Sequence, residues 1–213
     1  MLADIQSWGE TLRLLVELAG TAAFALSGLL EAARKRLDAV GVCVVACVTA
    51  FGGGTLRDLL LDRRPFFWVQ HVELLWGVMA LCVLVMLFMR QRHFEVTEKA
   101  IQWPDALGLG LFTATGVHLA LNEQMPMLVA VLMGVTTGVF GGVLRDVVCN
   151  EVPTAFRDHR PYAVCAFAGG WIYAGLGLLD APGWVALVAC VVVTAGLRLM
   201  ALWRNWELPA WRV

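Results

Sequence analysis

The sequence predicts an all-α membrane protein: seven transmembrane helices, arranged as an inverted 3+3 repeat plus one extra helix. Three observations predict it. The 213 residues are 60% hydrophobic and only 15% charged, with a mean hydropathy of +0.73. A soluble domain is about 45–50% apolar and about 25% charged. The apolar residues fall into runs near the ~20 residues that a bilayer requires. Finally, a six-residue block occurs twice, as Gly53-Gly54-Thr55-Leu56-Arg57-Asp58 and as Gly141-Gly142-Val143-Leu144-Arg145-Asp146, 88 residues apart. The same offset pairs Gly20 with Gly108, Phe24 with Phe112, Gly28 with Gly116, Thr49 with Thr137 and Pro65 with Pro153. A match of that extent is a duplicated unit.

The predicted spans, in order, are Leu12–Ala33, Leu37–Leu61, His71–Met89, Asp105–Asn122, Met125–Val148, Tyr162–Leu179 and Gly183–Leu202. The third, fourth and seventh have the shortest uninterrupted apolar cores. The first repeat is residues 1–92 and the second is residues 93–181. Residues 182–213 hold the seventh helix and a tail without a counterpart. A unit of three crossings ends on the opposite side from its start, so the second copy inserts upside down. The Met1–Asp4 start lacks the positive charge of a signal peptide, which makes the first run a retained span. Lys and Arg cluster at 34–36, 90–99, 157–160 and 204–212, while the loops at 122–124 and 180–182 carry none. That bias places the N-terminus outside and the C-terminus in the cytoplasm. Arg63 and Arg64 are the exception. Trp8, Trp68, Trp76, Trp103, Trp184, Trp203, Trp206 and Trp211 fall near span ends, as an interfacial aromatic belt would.

Each block lies 16 residues into its span, about 24 Å along a helix. The first block is therefore placed in the outer part of the membrane and the second in the inner part. Gly52, Gly53 and Gly54, and Gly141 and Gly142, each cost helix stability of roughly 1 kcal/mol relative to Ala. Two readings follow. The helices bend or unwind there and line a wet path, or the glycines admit a close neighbour. Gly134, Gly138 and Gly142, matched by Ala46, Ala50 and Gly54, form a small-residue face that suits the second reading. Arg57, Asp58, Arg145 and Asp146 read either as anchoring ion pairs or as charged gates at two pathway mouths. Ser27, Thr49, Thr115, Thr136 and Thr137 could replace water around a small ion, or bond the carbonyl one turn back. Glu17 has Arg13 four residues earlier on the same helix face. His118 is a candidate proton relay or a buried hydrogen-bonding residue.

Several classes are disfavoured. A net charge of −1 leaves no basic surface for nucleic acid. No phosphate-binding Gly-rich loop ends in Lys-Ser/Thr. No nucleophile–base set or metal-ligand spacing is present, so no catalytic residue, resident metal or cofactor is expected. Cys43, Cys47, Cys82, Cys149, Cys165 and Cys190 lie in or beside apolar runs and read as small buried residues.

With the paired Gly-Gly-x-x-Arg-Asp blocks and the 3+3+1 plan in view, the chain resembles the prokaryotic branch of the trimeric intracellular cation channel family, over nearly its whole length. That resemblance implies a homotrimer among membrane lipids in the bacterial inner membrane, with one pore per subunit lined by kinked second and fifth spans. It implies K⁺ as the permeant ion, and lipid as a candidate bound molecule. Gly52, Gly53, Gly54, Gly141 and Gly142 would be the kink sites. Arg57, Asp58, Arg145 and Asp146 would be pore-mouth or gating residues, with Ser27, Thr49, Thr115 and Thr137 as pore-lining hydroxyls. Phe140 stands where a third glycine of the second block would be. Some bacterial relatives in this family are labelled glycine transporters, which gives the alternative: a secondary transporter of a small zwitterion such as glycine, with Arg holding the carboxylate and Asp the amine.

Overall fold

The computed structural model describes residues 2–92, 97–157, 160–207 and 209. Its helices are α1 (Leu2–Arg34), α2 (Ala39–Leu60), α3 (Phe67–Gln70), α4 (Val72–Arg92), α5 (Glu98–Asn122), α6 (Met127–Val148), α7 (Thr154–Arg157), α8 (Ala163–Leu178) and α9 (Gly183–Arg204). Among the described residues, four segments are long and apolar enough to cross a membrane: Leu14–Arg34, Ala39–Leu60, Met127–Val148 and Gly183–Arg204. Val72–Phe88 and Ala163–Leu178 are shorter apolar helices. Each predicted span coincides with a helix, from the 16 residues of α8 to the 33 of α1. The seventh is not short of apolar residues, since its hydropathy of 2.3 is the highest of the four. The fifth helix begins ahead of the predicted Asp105 and runs through Pro104, its start capped by the Thr97 hydroxyl accepting from the Ala100 N–H. The two four-residue helices, α3 and α7, are not expected from the sequence.

Local chemistry sets the helix ends. The Asp38 carboxylate accepts from the Gly41 N–H at 2.7 Å and starts α2. Left-handed residues close six of the described helices, and four of these fall in equivalent pairs: Arg36 and Gln124 after α1 and α5, Asp62 and Asn150 after α2 and α6. At each, the next N–H returns to the carbonyl five residues earlier, as in Leu37 to Ala32 and Met125 to Ala120.

Helices α1, α2, α6 and α5 form a closed ring of neighbours. Helix α4 packs on α1 and α2, while α8 and α9 cover α5 and α6. Glycines set the closest approaches. A Cβ on Gly141 would stand 2.6 Å from the Thr49 carbonyl oxygen, and one on Gly53 would strike the Thr137 carbonyl oxygen. Contacts that pair 53 with 137 and 49 with 141 require α2 and α6 to cross antiparallel. The same logic makes α1 and α5 antiparallel, because Gly20 meets Phe112 and Gly108 meets Phe24. There the Phe24 and Phe112 rings stack with centroids 5.4 Å apart. Much of the outer surface is apolar: Val40, Trp76, Leu84, Trp103, Trp184, Val192 and Trp203 are all exposed, a surface with no favourable place in water. Trp68 instead turns inward to donate to the Thr55 hydroxyl. The side chains of Trp8 and Trp211 lie outside the described residues.

The backbone corrects the unwinding expectation. Both α2 and α6 stay α-helical through Gly52–Gly54 and through Gly141–Gly142, and no glycine has a positive φ. In an apolar medium a broken backbone bond costs several kcal/mol, more than the propensity penalty of the glycines, so the helices hold. The glycines admit a neighbour instead: Leu144 beside Gly52, the α6 and α2 backbones beside Gly53 and Gly141, Phe67 beside Gly54, and the Tyr162 hydroxyl beside Gly142.

Candidate functional site

The Arg–Asp blocks end α2 and α6, so the guanidinium of each sits where the helix dipole favours a cation. Adjacent residues on a helix do not usually face one another. Here the Arg145 Nε and Nη2 both meet Asp146 Oδ1 at 2.8 Å. Nη1 donates to Asp105 Oδ1 at 2.6 Å and to Ser27 Oγ at 2.6 Å. The second Asp146 oxygen accepts from the Thr154 N–H and hydroxyl at 2.7 and 2.8 Å, which starts α7.

The other block repeats this plan. Arg57 Nε and Nη2 meet Asp58 Oδ1 at 2.8 Å, and Nη1 reaches Glu17 Oε1 at 3.3 Å. Asp58 Oδ2 accepts from the Phe67 N–H at 2.8 Å and so starts α3. The Phe67 ring lies 5.2 Å from the Arg57 guanidinium carbon. All six charged groups are buried, with Arg57 the largest fully buried side chain at 1% exposure. A buried charge without partners is costly, and each Arg here has two carboxylates. Every cluster therefore holds one cation against two anions.

Each cluster floors a cavity. The larger, about 300 Å³, is lined by Glu31, Arg34, Asp105, Arg145, Asp146 and Arg198 among others. The smaller, about 20 Å³, includes Glu17, Arg57, Asp58, Arg63, Phe67 and His71. Arg57 and Arg145 lie beyond the α2–α6 crossing in opposite directions, so the cavities open at opposite ends of that pair. Between them the backbones of α2 and α6 touch at Gly53 and Gly141.

The predicted residues distribute as follows. Arg57, Asp58, Arg145 and Asp146 join in buried clusters. Ser27 belongs to one of them, accepting from Arg145 and donating to the Ile101 carbonyl at 3.4 Å. Thr49, Thr115, Thr136 and Thr137 donate to their own helix carbonyls at Val45, Phe112, Leu132 and Met133. The expected Arg13–Glu17 pairing gives way to Arg57–Glu17, and the Arg13 side chain lies outside the described residues. His118 bonds the Tyr173 hydroxyl at 2.8 Å and Asn122 at 3.1 Å. The cysteines are free thiols. Glu17 and Asp105 are the second carboxylate partners of Arg57 and Arg145, pairings that the residue-by-residue reading missed. The signal existed, since 17 and 105 are themselves 88 apart and both are acidic.

This fold and these clusters define an all-helical membrane protein with two similarly built, buried charge clusters. The sequence profile of the family described as glycine transporter matches residues 14–90 and 102–177, and the chain belongs to that family. The two matched segments begin at the same 88-residue offset as the blocks. A UPF0126 membrane protein of Vibrio cholerae is 38% identical over 92% of this chain and 81% of its own length. The UPF0126 inner membrane protein YadS of Escherichia coli K12 is 38% identical over 91% of this chain and 93% of its own. Among solved structures, the TRIC trimeric intracellular cation channel orthologue from Rhodobacter sphaeroides matches with a TM-score of 0.84 at 33% identity, covering 92% of this chain and all 100% of its own. A prokaryotic TRIC channel solved in 0.5 M KCl gives 0.86 at 27% identity, over 93% and 100%. The resemblance drawn from the Gly-Gly-x-x-Arg-Asp blocks is borne out, and the fold is that of the TRIC cation channels.

Proposed function

We propose that this chain is a cation channel, permeable chiefly to K⁺, with one pore per subunit of a homotrimer in a bacterial inner membrane. The observation that carries the proposal is the charge count of the two buried arginine clusters. An arginine in a cation path repels the ion unless it is neutralised. Arg57 and Arg145 are each over-neutralised, by Glu17 and Asp58 and by Asp105 and Asp146. Each buried cluster thus carries one net negative charge.

In this reading seven helices span the bilayer as an inverted repeat, residues 1–92 against 93–181, with residues 182–213 adding the last span. The antiparallel crossings of α1 with α5 and of α2 with α6 support it. The N-terminus is outside and the C-terminus cytoplasmic. The path runs along the α2–α6 crossing between the two cavities. Gly52, Gly53, Gly54, Gly141 and Gly142 let the helices close on each other, and Thr49, Thr115 and Thr137 turn their hydroxyls to a passing ion when the crossing loosens. In the conformation described, those hydroxyls bond backbone and the path is shut. The carrier reading needs a guanidinium available to a substrate carboxylate, and both arginines are already saturated by acidic partners.

The test is the reversal potential of the purified protein in a planar bilayer under a KCl gradient. Discrete currents reversing near the K⁺ equilibrium potential support the proposal. Reversal near the Cl⁻ potential, or silence from folded protein, overturns it. Neutralising one mouth sharpens the test. Asp105→Asn removes a charge whose interaction with an ion several ångströms away is about 1 kcal/mol. The cation-to-anion permeability ratio is expected to fall about five-fold, read as a shift of the reversal potential toward zero.

A further inference from the structure

The ends of α2 and α6 are tied by two ion pairs that the mouths' chemistry does not use. Lys35, in the α1–α2 turn, pairs with Glu151, just beyond α6. Arg63, just beyond α2, pairs with Glu123 in the α5–α6 turn at 3.4 Å. These are equivalent positions with their charges exchanged: 35 and 123 are 88 apart, as are 63 and 151. Each pair joins the residue before one left-handed turn residue, Arg36 or Gln124, to the residue after another, Asp62 or Asn150. The first unit supplies both cations and the second both carboxylates. The pairing also accounts for Arg63, the exception to the loop-charge count, because Glu123 is its partner.

We infer that these pairs are latches, one at each mouth, that hold the channel shut. Helices α2 and α6 cross like scissor blades at Gly53 and Gly141. Lys35–Glu151 clasps the start of α2 to the end of α6, and Arg63–Glu123 clasps the end of α2 to the turn that leads into α6. Splaying the blades at one mouth pulls that latch apart. Glu151 lines the larger cavity and Arg63 the smaller, so each latch stands on the rim it would release. All four side chains are 30–44% exposed. A pair of that kind is a weak bond, worth up to about 1 kcal/mol, which suits an element that must break and re-form.

The role as a latch on a gate rests on the channel reading, so the test has a readout independent of current. Gln102 lines the larger cavity. Gln102→Cys is labelled with a membrane-impermeant maleimide, against the parent protein as background, alone and with Lys35→Glu, Glu151→Lys, or both. Each single change sets like charges together and is expected to speed labelling about two- to five-fold. The double exchange restores the slow rate. In bilayers, open probability follows the same pattern. Labelling unmoved by the single changes, or not restored by the exchange, overturns the latch. A wild-type chain that passes no current overturns the channel reading, and the labelling rates still decide the latch.

Discussion

Gly53→Ala and Gly141→Ala are each expected to destabilise the protein by about 3 kcal/mol or more, and the pair to abolish the folded state. Overpacking a well-filled core costs typically about 1–3 kcal/mol, occasionally more. These sites belong at the upper end, because the obstacle is the carbonyl oxygen of a facing helix and not the tip of a flexible side chain. A Cβ at Gly141 would lie 2.6 Å from the Thr49 oxygen, and at Gly53 the Thr137 oxygen is closer still. Relief requires α2 and α6 to separate, which would pull at both buried clusters. Thermal unfolding in detergent, followed by size exclusion, reads the loss. Gly175→Ala is the control. Nothing stands within 4 Å of its Cβ position, so that change is expected to raise stability by roughly 0.5–1 kcal/mol through helix propensity. Equal melting of Gly53→Ala and wild type would show that the two backbones do not meet at the crossing.

That expectation reverses the first message of the glycines as a sequence. A Gly triplet in a soluble helix is a weak point, and propensity alone predicts a break at Gly52–Gly54. Propensity lost because an apolar surrounding offers no water to a freed carbonyl, while the facing helix supplies contact that only glycine admits. The small-residue spacing of Gly134, Gly138 and Gly142 held the better clue. The helices that hold Leu14–Arg34, Ala39–Leu60, Met127–Val148 and Gly183–Arg204 were legible because each of those segments is an apolar run of bilayer length, a signal that survives any error in packing. Helices α3 and α7 were not. Four residues carry no periodicity, and their starts are fixed by Asp58 and Asp146, which donate nothing to the local sequence pattern. The arginines were legible through duplication, but their second partners were not. Arg13 offered Glu17 a nearer explanation four residues away, and only the fold brings Arg57 from 40 residues away to take it. The 88-residue offset relating Glu17 to Asp105 carried that information, and applying it to every acidic residue would have found the partner set.

Arg145→Met is expected to cost about 3–5 kcal/mol, the penalty for stranding buried charge once its partner is removed. Asp105 and Asp146 are 4% and 5% exposed, and the guanidinium is the cation that both touch. Asp146 keeps its bonds from Thr154, so α7 retains its start. Asp105 loses its 2.6 Å partner outright. The expected readout is a large fall in melting temperature, with much of it recovered in the double variant Arg145→Met with Asp105→Asn, where one stranded charge is gone. Arg145→Lys is expected to fall between. A point charge cannot serve Asp146, Asp105 and Ser27 from one fork as Arg does. The equivalent Arg57→Met should lose less, because its contact to Glu17 is longer, at 3.3 Å. A ranking in which Arg57→Met is the worse, or in which the Asp105→Asn partner brings no recovery, would mean that packing of the side-chain stem and not charge pairing holds the cluster. In the channel proposed above, the same two carboxylates that make the arginine necessary for folding also leave its cluster with one net negative charge. In that reading, cation attraction and stability of the helix end are one electrostatic arrangement, and a variant that relieves the second without the arginine, such as Arg145→Met with Asp105→Asn, should keep the negative charge of Asp146 and with it cation preference.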